Sequence, residues 1–186
     1  MIINPYSYLS FSTIYKEDFE SSAHRIGFLY KFPVGWTDPG SPYIPTNEWT
    51  VYYDNGVEYP LSNTVPGGSG GKSLVFTNNG TDPNSVTTKS FSTVGYTGIT
   101  LNLLQYRVTG APSLTIEWSD DNSTWSNTGF VDVTDDGVWH AASTVNLPVG
   151  AENKPNIYLR LSTTADDNGQ FGVYFVVDDI TIKGTS

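Results

Sequence analysis

The sequence predicts an all-β protein, an antiparallel two-sheet jelly-roll sandwich with an irregular N-terminal arm. Three observations predict it. Apolar residues alternate with polar ones in short runs, the signature of half-buried strands. Turn-forming residues separate these runs every 8–15 residues or so, the rhythm of a sandwich or jelly roll. Aromatic residues make up 14% of the chain, with 5 Trp, 12 Tyr and 9 Phe, and pleated sheets are where large rings pack best. No stretch sustains a helical period.

Taken in order, residues 1–13 read as the arm and 14–186 as one domain. The first 45 residues are the least regular, interrupted by Pro5, Pro33, Pro39, Pro42 and Pro45. One strand stands out there, from Ile14 to Glu20. Residues 46–66 read as a hairpin, because Asp54-Asn55-Gly56 sits between the β-rich runs Trp49–Tyr53 and Val57–Tyr59, and Asn-Gly between such runs favours a tight turn. A glycine-rich loop, Gly67–Gly71, precedes a strand over Ser73–Thr77. Alternation is then regular: Ile99, Leu101 and Leu103; Leu114, Ile116 and Trp118; Val145 and Leu147; Ile157, Leu159 and Leu161; Val173, Phe175 and Val177; Ile180 and Ile182. Trp36, Trp118 and Trp139 are expected in the core.

Composition narrows the function classes. Net charge is −10, with 9 Lys+Arg against 19 Asp+Glu. Such a chain is repelled by phosphate backbones and anionic lipid, so neither nucleic acid nor membrane is an expected partner. With no cysteine, disulfides, thiolate metal sites and cysteine nucleophiles are excluded. No run approaches the roughly 20 apolar residues of a membrane helix. The opening Met1-Ile2-Ile3-Asn4-Pro5-Tyr6 has no basic region followed by an apolar one, so the chain is expected to be used without that export route.

Two catalytic motifs are imitated. Gly67-Gly68-Ser69-Gly70-Gly71 matches a nucleophile elbow in letters, but that elbow needs a helix after it. Gly71-Lys72-Ser73 imitates a phosphate loop whose first glycine is Pro66 here. A plain loop between strands accounts for both. His24 and His140 are the only histidines, too few for multi-histidine metal catalysis. No catalytic residue is assigned, and the chain is expected not to be an enzyme. Asp132, Asp135 and Asp136 read as a turn, as do Asp166, Asp167 and Asn168. Asn79-Gly80-Thr81 and Asn122-Ser123-Thr124 fit the glycosylation pattern and read as turns.

Two constellations remain. Glu17, Asp18 and Glu20 lie near the first strand, and Asp178 and Asp179 near the last. First and last strands of a sandwich are often neighbours, and clustered oxygen ligands without His or Cys suit Ca²⁺. Solvated edge residues that deter sheet pairing are the simpler reading. Trp49, Tyr52, Tyr53 and Tyr59 sit on or beside the hairpin, where exposed rings stack on glycans or form a protein interface.

From about residue 15 onward the order of features resembles jelly-roll adhesin and carbohydrate-binding-module-like domains, the group that includes MAM domains and the cleaved-adhesin domains of gingipains. The resemblance rests on Glu17-Asp18-Phe19-Glu20, Pro33-Val34-Gly35-Trp36, Gly68–Leu74, Leu114–Trp125, Val145-Asn146-Leu147-Pro148 and Val177-Asp178-Asp179-Ile180. It implies a structural Ca²⁺ held by Glu17, Asp18, Glu20, Asp178 and Asp179, pinning the termini together. Ile3-Asn4-Pro5-Tyr6 resembles the start of some bacteriophage structural proteins. Together with the missing leader, this favours a virion-associated attachment or assembly protein, a capsid decoration, fibre or tail component. Its partners would be other virion proteins, itself as a homo-oligomer, or surface glycans. The alternative is a secreted, extracellular carbohydrate-binding module of a bacterial enzyme or adhesin.

Overall fold

A computed structural model describes residues 10–19, 35–37, 49–53, 72–77, 85–111, 113–163 and 174–186. Their regular structure consists of strands β1 (Phe11–Glu17), β2 (Trp49–Tyr53), β3 (Lys72–Thr77), β4 (Ser85–Thr87), β5 (Thr97–Arg107), β6 (Leu114–Ser119), β7 (Ser126–Asn127), β8 (Trp139–Ala141), β9 (Val145–Asn146), β10 (Tyr158–Thr163) and β11 (Tyr174–Thr185). A single 3-10 turn, Val149–Ala151, interrupts them.

These strands form two antiparallel sheets. The larger runs β2-β3-β11-β5-β8, with β1 also on β11 and β9 also on β5; the smaller runs β4-β10-β6-β7. Alternation explains the layering. Ile99, Leu101 and Leu103 of β5 face Ile116 of β6 and Leu159 and Leu161 of β10 across a shared core, all at most 3% exposed. Burying each such side chain contributes about 1.5–3 kcal/mol. Trp36 joins this core as expected, and Trp118 packs partly buried against it. Trp139 does not join it. It is half-buried beside Tyr106, ring centroids 5.8 Å apart.

The first strand is displaced from its sequence expectation. β1 begins at Phe11, inside the stretch read as an arm, and ends at Glu17 rather than Glu20. Phe11 and Thr13 are exposed, so no apolar alternation marks this start. Pairing holds it instead, through the register Phe11↔Thr185 to Glu17↔Ile180. The strand stops where the Glu17 carboxylate accepts the Phe19 N–H at 2.9 Å and Phe19 adopts φ +56°.

The last strand holds a second surprise. Asp178 and Asp179 lie within β11, not ahead of it. Between Asp178 and Thr181 the pairing with β5 slips, and Asp179 takes φ +49°. One extra residue resets the alternation. Val177, Ile180 and Ile182 therefore all reach the same core. On its other side β11 pairs with β3 up to Val177↔Leu74, then with β1 from Ile180↔Glu17. The bulge marks this change of partner.

Candidate functional site

Two regions bring functional side chains together. The first is the β11 bulge. Because β1 pairs with β11, Glu17 and Asp18 do come beside Asp178 and Asp179. Lys16 sits among them, its ammonium 3.3 Å from Asp18 Oδ2 and 3.6 Å from Asp179 Oδ1. Asp178 is fully buried and accepts the Asp179 N–H at 2.7 Å. Burial also pushes the Glu17 carboxyl above its ordinary range, since a dry environment penalises the charged form. Glu20 lies outside the described residues. Among those described, no group of three or more acidic, His or Cys side chains is gathered closely enough to hold a metal ion. As a cation site the cluster is thus incomplete without Glu20 and backbone oxygens, and the single charge of Lys16 is already shared between Asp18 and Asp179.

The second region is the outer face of the smaller sheet, which sequence reasoning missed. Leu159 and Leu161 point inward, so Tyr158, Arg160 and Ser162 point outward. Leu114 and Ile116 point inward on β6, so Thr115 and Glu117 point outward. The register sets Arg160 opposite Glu117 and Tyr158 opposite Ser119. Arg160 donates from Nε and Nη2 to Glu117 Oε2 at 2.8 and 2.6 Å. Its guanidinium lies over the Trp125 ring, 4.4 Å from the centroid. Such stacking is attractive electrostatically. All four side chains, Glu117, Trp125, Tyr158 and Arg160, are half-buried.

A rigid turn delivers Trp125. Asp121 Oδ1 accepts the backbone N–H of Ser123 at 2.8 Å and of Thr124 at 2.7 Å, plus the Ser119 hydroxyl at 2.8 Å. These donors hold the Asp121 carboxyl far below the usual carboxylate range. Asn122 takes φ +57° at the tip, a conformation Asn tolerates. Asn122-Ser123-Thr124 is thus an exposed turn, as expected. The sequence held one usable signal for this face: Trp125 follows a turn, while Tyr158 and Arg160 alternate with the buried Ile157, Leu159 and Leu161.

Trp49, Tyr52 and Tyr53 lie in β2, at the end of the larger sheet's path, with Trp49 in register with Phe76 and Tyr52 with Ser73. The Asp54-Asn55-Gly56 turn, Tyr59, the Gly67–Gly71 loop, His24, the Asn79 sequon and Asp166–Asn168 lie outside the described residues. His140 pairs with Asp136, Nε2 to Oδ1 3.0 Å. Asp132 is more than a turn residue. It accepts the Leu114 N–H and the Gln105 amide at 3.1 Å each, and lies 3.7 Å from Arg107.

No protein-family profile matches the sequence, and neither does any curated protein. Solved structures do match. The K2 cleaved adhesin domain of Lys-gingipain superposes with a TM-score of 0.60 at 18% identity, over 95% of this chain and 100% of that domain. The K3 domain of the same protein, from Porphyromonas gingivalis, gives 0.59 at 18%, over 92% and 98%. A CBM22-1 xylan-binding domain from Paenibacillus barcinonensis gives 0.53 at 16%, over 97% and 99%. The chain has the β-sandwich fold of these adhesin and carbohydrate-binding domains, as the resemblance implied.

Proposed function

We propose that this chain is a non-catalytic, extracellular module that binds glycans on the outer face of β4-β10-β6-β7. The observation that carries this reading is the Trp125–Arg160–Glu117 assembly. Arg160 covers one face of the Trp125 indole, and the proposal gives the opposite face to the apolar side of a pyranose ring. The adjoining guanidinium, carboxylate and Tyr158 hydroxyl offer directional bonds to sugar hydroxyls, the usual division between apolar contact and a few placed polar groups. Arg160 and Glu117 are held by one another before any ligand arrives, so little ordering cost remains.

The fold supports the secreted-module reading over a virion part. The similar domains named above are cleaved adhesin domains and a xylan-binding domain, and none is a virion protein. Trp49, Tyr52, Tyr53 and Tyr59 remain a second candidate surface, from sequence alone. A structural Ca²⁺ at Glu17, Asp18, Glu20, Asp178 and Asp179 is part of the proposal, with the role of clamping β1 to β11. Lys16 would have to swing away from Asp18 and Asp179 to admit it.

A polysaccharide array and retardation in glycan-containing gels test the reading. Retention by at least one glycan is expected, and its loss in Trp125→Ala with an unchanged melting temperature. Failure to bind across a broad panel contradicts it. For the metal, the melting temperature is expected to rise with millimolar Ca²⁺ over chelator, and equal values in both count against the clamp.

A further inference from the structure

The charge pattern of this face points to a narrower ligand class. Resting on the proposed glycan reading, we infer that the face selects uncharged glycans and rejects those bearing uronate, sialate or sulfate groups.

Both cations around the described face are already engaged. Arg160 directs Nε and Nη2 to Glu117 and sits over the Trp125 ring. Lys154 donates to Asp120 at 2.6 Å. Against these two cations stand three carboxylates, Glu117, Asp120 and Asp121, on β6 and its following turn. Neighbouring Thr87, Thr115, Asn127, Tyr158 and Ser162 add no charge at neutral pH. Lys89, beyond the end of β4, lies over the Tyr15 ring, 5.8 Å from its centroid. An anionic sugar docking here meets a guanidinium whose charge Glu117 already offsets, and that carboxylate repels it. A neutral sugar meets no such repulsion. Its hydroxyls both donate and accept, which suits a guanidinium–carboxylate pair presenting donors and acceptors together. The chain's charge of −10 further repels polyanions at a distance.

The same geometry makes one substitution diagnostic. Glu117→Gln keeps the shape and an acceptor for Arg160 but removes the negative charge, leaving the guanidinium electrostatically uncompensated.

The test compares neutral polysaccharides with uronate-bearing and sulfated ones at low salt, for the parent chain, Glu117→Gln and Trp125→Ala. The parent is expected to bind a neutral polymer at least ten-fold more tightly than any acidic one. Glu117→Gln is expected to narrow that ratio by at least ten-fold, with a salt-sensitive gain on acidic polymers. Parent binding to acidic polymers as tightly as to neutral ones, lost in Trp125→Ala, overturns the selectivity while leaving the glycan face intact. Binding to neither class overturns the glycan reading itself.

Discussion

At the residue scale, buried polar groups decide how the sandwich tolerates change. Asp132 shows this best. Its carboxylate joins Gln105, which is fully buried, to the Leu114 backbone and the Arg107 guanidinium. Arg107 in turn donates to the carbonyls of Val133 and Ala111 at 3.0 and 2.8 Å. Removing one partner leaves the others part-buried and short of a hydrogen bond. Asp132→Ala is expected to cost about 2–4 kcal/mol. In a chain of this size that lowers the melting temperature by roughly 5–15 °C, read by thermal unfolding. Glu17 makes the opposite kind of prediction. Burial raises its folded pKa, so the folded chain holds that proton more tightly than the unfolded one. Its destabilising effect is absent at low pH and grows as pH rises past the ordinary carboxylate range. Glu17→Gln keeps an acceptor for the Phe19 N–H and removes the penalty. In chelator, its melting temperature relative to the parent is expected to be higher at about pH 7 than at about pH 4. An unchanged difference would place the charged carboxylate in a better-solvated setting than its burial implies.

At the element scale, the strands with clear alternation were legible and the ones fixed by pairing were not. β5, β6 and β10 announce themselves because one face is core and the other solvent, a period-two pattern visible in Ile99-Leu101-Leu103 and Leu159-Leu161. β1 shows only its later half, from Ile14, because its first residues are exposed and owe their conformation to β11. The bulge at Asp178–Asp179 was hidden for a related reason: a one-residue slip is set by what lies on both sides of the strand. The proposed glycan face was missed because Arg160 lies 43 residues from Glu117 in sequence, and the β6–β10 register makes them neighbours. Close packing between elements gives a sharp test at Gly184. A Cβ there would lie 2.8 Å from Ile14 Cδ1, 2.9 Å from Ile99 Cδ1 and 3.0 Å from Tyr96 Cβ. Gly184→Ala is expected to overpack this three-way contact at a cost of about 1–3 kcal/mol, seen as a lower denaturant midpoint with an unchanged slope. The turn before Trp125 predicts a functional effect instead. Asp121→Ala removes the acceptor that closes residues 119–124, so glycan affinity is expected to fall several-fold while the fold survives.

At the scale of the whole molecule, the chain closes on itself. β1 near one end and β11 at the other are paired along most of β1's length, and β11 also pairs with β5 and β3. Such non-local pairing makes folding slow. It leaves the small sheet's outer face standing on a scaffold whose core does not depend on it, so face and fold are separable by mutation. Titration calorimetry with a neutral polysaccharide ligand, comparing the parent, Trp125→Ala and Trp49→Ala, uses that separability most directly. Trp125→Ala is expected to weaken binding by roughly 30-fold, the loss of a buried aromatic anchor, with Trp49→Ala close to the parent and all three melting alike. Unchanged affinity in Trp125→Ala, with binding lost in Trp49→Ala, would contradict the account and move the site to the larger sheet's β2 edge.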